Sequence, residues 1–218
     1  DESIKKPNKY EKFNYKKAKI FISTCIKHNL KKIIFSSTAS VYGNLNKKNI
    51  PENSKLNPMN PYALSKLKLE NFLIRNSKSK SFKYIILRYF NVGGADKKLR
   101  TGLISKSSTN LIKVICEVAT GKRKKFFING NNYKTKDGTP IRDFIHINDL
   151  SQIHFLAAKY LIQKDKSQIF NCGYGVGYSV KDILYTMNKI IKKKIPEVYG
   201  QRRLNDIEYS VACVKKFH

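Results

Sequence analysis

Ile33-Ile34-Phe35 sets the strongest limit on how this chain can fold. Consecutive side chains of a strand point to opposite faces, so three large apolar residues in a row need cover on both. A parallel sheet with a helix layer on each side gives that cover. The flanking segments agree. Upstream, Tyr10 to Asn29 sets Phe13, Ala18, Ile20, Phe21, Thr24, Cys25 and Ile26 at helical spacing with a basic outer face. Downstream, Pro51, Pro58 and Pro61 keep a loop extended until a helix for which Pro61 suits the first turn. That helix is expected to run to about Asn76, and Phe82 to Phe90 is the next apolar strand. The alternation predicts α/β architecture with a parallel sheet.

Asn91-Val92-Gly93-Gly94-Ala95 breaks the alternation, and a domain boundary is expected there, dividing residues 1–91 from residues 92–218. Beyond a polar stretch to Ser107, the pattern predicts a helix from Thr109 to Thr120 and a short strand at Phe126-Phe127-Ile128. A strand at Phe144 to Ile147 should lead into a helix capped by Asn148 or Asp149. Gln168 to Cys172 reads as a strand, Gly173 to Gly177 as a turn, and Ser179 as the cap of a last helix through Lys193.

Chemistry concentrates in Tyr62-Ala63-Leu64-Ser65-Lys66. Residues four apart share a helix face, so the Lys66 ammonium is expected beside the Tyr62 phenol, drawing its pKa toward neutrality. Such a phenol can take a proton from an alcohol or return one. Thr38, at the tip of the upstream strand, adds a second hydroxyl. Together they suit oxidation of a hydroxyl to a ketone.

Composition excludes several classes. The chain has 218 residues, 41% of them hydrophobic, which argues against disorder. No apolar run reaches membrane-span length and Asp1-Glu2-Ser3 is no signal peptide, so a cytoplasmic protein without a membrane partner is expected. Cys25, Cys116, Cys172 and Cys213 are too scattered for a metal or redox pair and read as buried thiols. The net charge of +29 suits polyanion binding, but lysines occur in nearly every segment rather than in one patch. No specific nucleic-acid partner is expected.

Six blocks resemble the UDP-glucose 4-epimerases of the extended short-chain dehydrogenase family, and nearly the whole chain is covered. They are Phe35 to Gly43, Asn60 to Lys66, Leu87 to Asn91, Asp137 to His146, Asn171 to Val180, and Arg202 to Asp206. The dehydratase relatives place acidic residues where this chain has Ala39 and Ser40. The resemblance implies the later part of a doubly wound, Rossmann-like parallel sheet followed by a smaller α/β substrate domain. It implies bound NAD, a UDP-hexose substrate, a homodimer for the full-length protein, and inversion at sugar C4 through a 4-keto intermediate. Thr38, Tyr62 and Lys66 would be catalytic. Asn14, Ser36, Ser37 and Tyr89, with Tyr62 and Lys66, would contact the cofactor. Thr38, Phe90, Asn91, Asn110, Leu111, Phe127, Arg142, Val180, Arg203 and Asp206 would hold the UDP-sugar. No metal is implied.

Residue by residue, simpler readings stand beside these. Leu111, Phe127 and Val180 fit a core, Arg142 could pair with Asp143 or Asp149, and His146 reads as a hydrogen-bonded structural histidine.

The chain also departs from the family. No Gly-x-Gly-x-x-Gly turn is present, since Gly173-Tyr174-Gly175-Val176-Gly177 has the wrong spacing. A paired asparagine reads Phe13-Asn14, and an aspartate expected after Asp206 is Cys213. A piece truncated at both ends, inactive by itself and exposing a sheet edge at Ile33 to Ser37, is therefore expected. Two alternatives stay open. One is a sibling epimerase for UDP-N-acetylhexosamine or UDP-pentose, turning on whether Tyr209 or Ser210 faces the sugar; the other is a non-catalytic polyanion binder.

Overall fold

The computed structural model describes residues 2–45, 47–79, 82–105 and 108–216. Two short helices, α1 (Glu2–Lys5) and α2 (Pro7–Tyr10), lead through a π-helical stretch (Glu11–Lys17) into α3 (Ala18–Lys27). Strand β1 (Lys32–Thr38), a 3-10 turn (Ala39–Tyr42), α4 (Pro61–Ser79), β2 (Lys83–Tyr89) and β3 (Asn91–Gly93) follow. Next come α5 (Leu111–Ala119), β4 (Phe126–Asn129), β5 (Ile141–His146), α6 (Ile147–Lys164) and β6 (Gln168–Cys172). The last elements are β7 (Gly177–Ser179), α7 (Val180–Ile191), β8 (Glu197–Gly200) and β9 (Tyr209–Ser210).

The first sheet has the order β1-β2-β6, with both pairings parallel. Ile34 turns toward the cluster of Ile85, Leu87, Leu150, Ala157 and Leu161 beneath α6. Ile33 and Phe35 turn the other way, onto Ile22, Leu69, Leu73 and Ile86 beneath α3 and α4. The consecutive apolar run is half-buried, packed against apolar clusters on both faces, and the sheet is doubly wound as the sequence predicts.

Residues beyond the expected boundary return to this sheet. Strand β6 pairs with β2 from Ile85–Gln168 to Tyr89–Cys172, and α6 covers one face. Periodicity identifies β6 as a strand but cannot say which sheet it joins. The remaining elements build two further sheets, of four strands and of two. Strand β5 pairs parallel with β3 and β9 and antiparallel with β7. Strands β4 and β8 pair beside α5 and α7, around Ile115, Phe126, Ile128, Leu184 and Ile195.

Local chemistry sets the ends of the elements. Asn60 Oδ1 accepts from the Ala63 N–H at 2.9 Å at the start of α4, just before Pro61. Ser179 and Asp182 form a reciprocal capping box at α7. At α6 the expected cap is corrected: His146 Nδ1 accepts from the Asn148 N–H at 3.1 Å, while Asp149 receives the Tyr174 hydroxyl. Strands β3, β7, β8 and β9 are two to four residues long and carry no apolar run, so periodicity misses them.

Asp143 ties the second layer to the first. Its buried carboxylate accepts from the N–H groups of Tyr174 and Gly175 at 2.8 Å and of Ala212 at 3.1 Å. Arg142 therefore does not pair with Asp143. A Cβ at Gly173 would lie 2.4 Å from Asp143 Oδ2, so this first glycine of the glycine-rich run allows close packing on the aspartate. The cysteine expectation is also corrected: Cys172 is buried, but Cys25 and Cys213 are half-buried and Cys116 is exposed. Among the described residues no helix is long and apolar enough to cross a membrane.

Candidate active site

The site assembles at the carboxyl ends of β1 and β2. Thr38 ends β1 and pairs in register with Tyr89, the last residue of β2. Thr38 is nearly buried, and its Oγ1 accepts from the Ser40 N–H at 3.2 Å, which opens the 3-10 turn. That turn closes at Gly43, whose φ of +64° brings it against the Asn57 carbonyl, where no Cβ fits. Tyr62 stands in the first turn of α4, near enough to Thr38 for that hydroxyl to lower its pKa. Its ring meets the Tyr10 ring edge-on at 6.1 Å.

Lys66 does not act on Tyr62 as the spacing suggests. Its Nζ donates to the Ser36 carbonyl at 3.0 Å and lies 5.1 Å from the Phe35 ring centroid. Burial pushes the Tyr62 phenol above its ordinary pKa, opposed only by the neighbouring Thr38 hydroxyl. Burial also pulls the Lys66 ammonium down. Shared helix face alone does not bring the two heads together.

Tyr89 Oη lies 2.6 Å from Ser36 Oγ and 2.6 Å from His154 Nε2. Ser37, by contrast, is buried with its hydroxyl donating to Glu70, so that hydroxyl faces away from the cleft. Asn14 lies in the π-helical stretch and lines neither cavity described below.

Two adjoining cavities extend from Thr38. The smaller, about 290 Å³, is lined by Thr38, Tyr89, Phe90 and Ser210 among others. The larger, about 750 Å³, lies between β4, β5 and the start of α5 and α7, and includes Asn110, Leu111, Phe127, Val180 and Arg203. Asn91, Arg142 and Asp206 line both, which makes one cleft of them. All ten residues expected at the UDP-sugar border this cleft. Tyr62, Lys66 and Ser36 lie beside it rather than in it.

Several of these residues have structural duties too. Asn110 caps α5 by accepting from the Lys113 N–H at 3.2 Å and donates to the Val92 carbonyl at 2.9 Å. Phe127 is exposed, so its core reading is overturned, whereas Leu111 and Val180 pack on the β4–α7 core at the cavity's edge. Arg142 donates from Nη2 to Asp206 Oδ1 at 2.6 Å and to the Ile207 carbonyl at 2.7 Å. Burial lowers the Arg142 pKa and Asp206 opposes it. Arg123, Lys124 and Lys125 also line the larger cavity, giving it a positive wall. They were missed because nothing distinguishes them among 44 lysines and arginines. His154, Glu70 and Tyr42 were missed because they act one layer behind the surface.

The register at β9 is settled by pairing. Ser210 pairs with Arg142 and lines the smaller cavity; Tyr209 pairs with Ile141 and does not. Among the described residues, no group of three or more His, Cys, Asp or Glu could hold a metal ion.

The model of the NAD dependent epimerase/dehydratase family matches residues 1–173. The chain belongs to that family. Among its epimerase/dehydratase relatives, the UDP-glucose 4-epimerase of Azospirillum brasilense is 39% identical over 211 residues, covering 97% of this chain and 61% of that protein. The crystal structure of the Bifidobacterium longum UDP-glucose 4-epimerase in complex with NAD+ and UDP superposes with a TM-score of 0.93 at 35% identity, covering 99% of this chain and 65% of that one. The UDP-Glc/GlcNAc 4-epimerase of Campylobacter jejuni superposes with a TM-score of 0.81 at 42% identity, covering 99% and 66%. The chain thus spans about three fifths of the length of the UDP-glucose 4-epimerase it matches in sequence.

Proposed function

We propose that the protein to which this chain belongs inverts C4 of a UDP-hexose, interconverting UDP-glucose and UDP-galactose with tightly bound NAD. The observation that carries this is the single cleft joining a strand-end hydroxyl, Thr38, to a basic cavity through Arg142 and Asp206. Its volume is of the order that encloses a small ligand. The positive wall and Arg142 suit a diphosphate, and Asp206 can accept from ribose hydroxyls.

The residues beside the cleft fit a dinucleotide. Ser36, Lys66 and Tyr89 present donors and an aromatic face at the carboxyl ends of parallel strands, where such ligands bind. NAD, when bound, supplies the hydride acceptor and then the donor. Tyr62 takes the proton of the sugar 4-hydroxyl and later returns it. Thr38, whose hydroxyl lowers the Tyr62 pKa, holds the same oxygen as it becomes a carbonyl. Lys66, held on the Ser36 carbonyl away from the phenol, binds the nicotinamide ribose.

A second reading concerns the sugar. The small Ser210 at the cavity wall leaves room for an N-acetyl group, which favours UDP-N-acetylhexosamine as an additional substrate.

The test is to express the complete gene, purify the protein, denature it and assay the supernatant for NAD, alongside turnover of UDP-galactose. Stoichiometric NAD with turnover lost in Tyr62→Phe is expected. A folded protein that releases no NAD removes the proposed chemistry. Salt-dependent DNA retention that survives Tyr62→Phe would then favour polyanion binding.

A further inference from the structure

His154 lies on α6, outside the lining of either cavity, yet it is the only imidazole in contact with a cleft residue among the described side chains of the first sheet's carboxyl edge. Its Nδ1 is 2.9 Å from the Leu150 carbonyl oxygen, and its Nε2 is 2.6 Å from Tyr89 Oη. A carbonyl oxygen only accepts, so Nδ1 must carry the proton. In the neutral ring Nε2 is then bare and can only accept. The Tyr89 hydroxyl is therefore the donor to His154; with its one proton so used it cannot also donate to Ser36 Oγ, 2.6 Å away, so Ser36 must turn its proton to Tyr89. The rings also meet edge-on, with centroids 5.6 Å apart.

The chain of contacts reaches the chemistry. Ser36 receives Lys66 on its carbonyl and bonds Tyr89 through its hydroxyl, while Tyr89 pairs in register with Thr38. One imidazole thus fixes the hydroxyl orientation of the whole Ser36–Tyr89 side.

We infer that His154 is a positioning residue: held as its Nδ1–H tautomer by the Leu150 carbonyl, it accepts from Tyr89 and fixes the wall on which the dinucleotide rests. The functional half rests on the reading proposed above; the tautomer does not. His146 supplies an internal contrast. Its Nδ1 accepts from a backbone N–H, which puts its proton on Nε2. The two histidines are assigned opposite tautomers.

Nitrogen-edited NMR of the imidazoles in the intact protein at about pH 8, above the ordinary imidazole pKa of about 6.5, reads this directly. A proton on Nδ1 of His154 and on Nε2 of His146 is expected. A proton on Nε2 of His154, in a neutral or a charged ring, overturns the inference. His154→Phe keeps the ring contact and removes the acceptor, whereas His154→Gln returns an acceptor near the Nε2 position. Release of co-purified NAD is expected to be roughly five- to tenfold faster in His154→Phe, the scale of one hydrogen bond, and restored in His154→Gln. Thermal melts of both variants separate this from unfolding. Unchanged NAD release in a folded His154→Phe overturns the positioning role. If the parent protein releases no NAD, the proposed function fails, while the tautomer still decides the His154–Tyr89 pairing.

Discussion

Arg88 Nη2 and Glu70 Oε2 meet at 2.7 Å with side chains 2% and 0% exposed, directly behind the strand tip that carries Thr38. Arg88 pairs in register with Ser37, whose hydroxyl donates to Glu70. Arg88 also donates to the Tyr42 hydroxyl at 3.0 Å, and Tyr42 donates to Asn171 Oδ1 at 2.6 Å. The cleft therefore stands on a buried polar network in which the carboxylate and the guanidinium satisfy one another.

Breaking that pair from one side should be costly. Glu70→Gln leaves the guanidinium buried without a counter-charge, and a loss of about 3–5 kcal/mol is expected in urea denaturation. Glu70→Leu combined with Arg88→Met should recover most of it, because neither charge then remains. A double variant as unstable as the sum of the singles would show that the pair is not coupled.

Alkaline pH should unfold the chain through two buried acids. Burial pushes the Cys172 thiol from 9.0, and the Tyr42 phenol from 10.0, up to about 12. Between the unfolded and folded values the folded chain binds more protons, so stability is whole below about pH 9 and falls toward pH 12. At 1.36 kcal/mol per pH unit the upper limits are about 4 kcal/mol for Cys172 and about 3 kcal/mol for Tyr42. Urea melts in this range should decline less steeply in Cys172→Ala; an unchanged slope would exclude the thiol.

Thr38→Val removes the one interaction that lowers the Tyr62 pKa. The acid limb of the kcat–pH profile of the complete gene product should then move to higher pH, with KM less affected. A drop in kcat at all pH values without that displacement would assign Thr38 to holding the substrate alone.

Ser210→Tyr should fill the wall beside Thr38 and lower turnover of UDP-N-acetylglucosamine relative to UDP-glucose. Equal losses for both sugars would mean that the wall does not read the N-acetyl group.

Gly173→Ala should destabilise by about 1–3 kcal/mol, because its Cβ would meet Asp143 and the Ala212 side chain at 2.9 Å or less. A thermal melt matching the parent would show that this turn can move away.

Much of the fold was legible because its cause is local. Ile33-Ile34-Phe35 demanded cover on both faces, Pro61 and Ser179 marked helix starts, and Gln168 to Cys172 is a strand with the predicted bounds. What was not legible depends on distant partners. Nothing in β6 says that it pairs with β2, and nothing in Arg142 says that Asp206, rather than Asp143 or Asp149, will neutralise it. The direction of Lys66 was misjudged for the same reason: helix spacing sets where a side chain begins, and the Ser36 carbonyl decides where it ends.

Strands β2 and β3 are one run of chain interrupted only by Phe90, the first belonging to the three-stranded sheet and the second to the four-stranded one. Phe90 is anchored by its N–H to the Cys172 carbonyl at 3.0 Å and is nearly buried. Tyr89 and Asn91, which both line the smaller cavity, are thus joined through a single fulcrum. Any twist of one sheet against the other changes the angle between them without an intervening loop to absorb it, so the width of the cleft is geared to the bend at one residue.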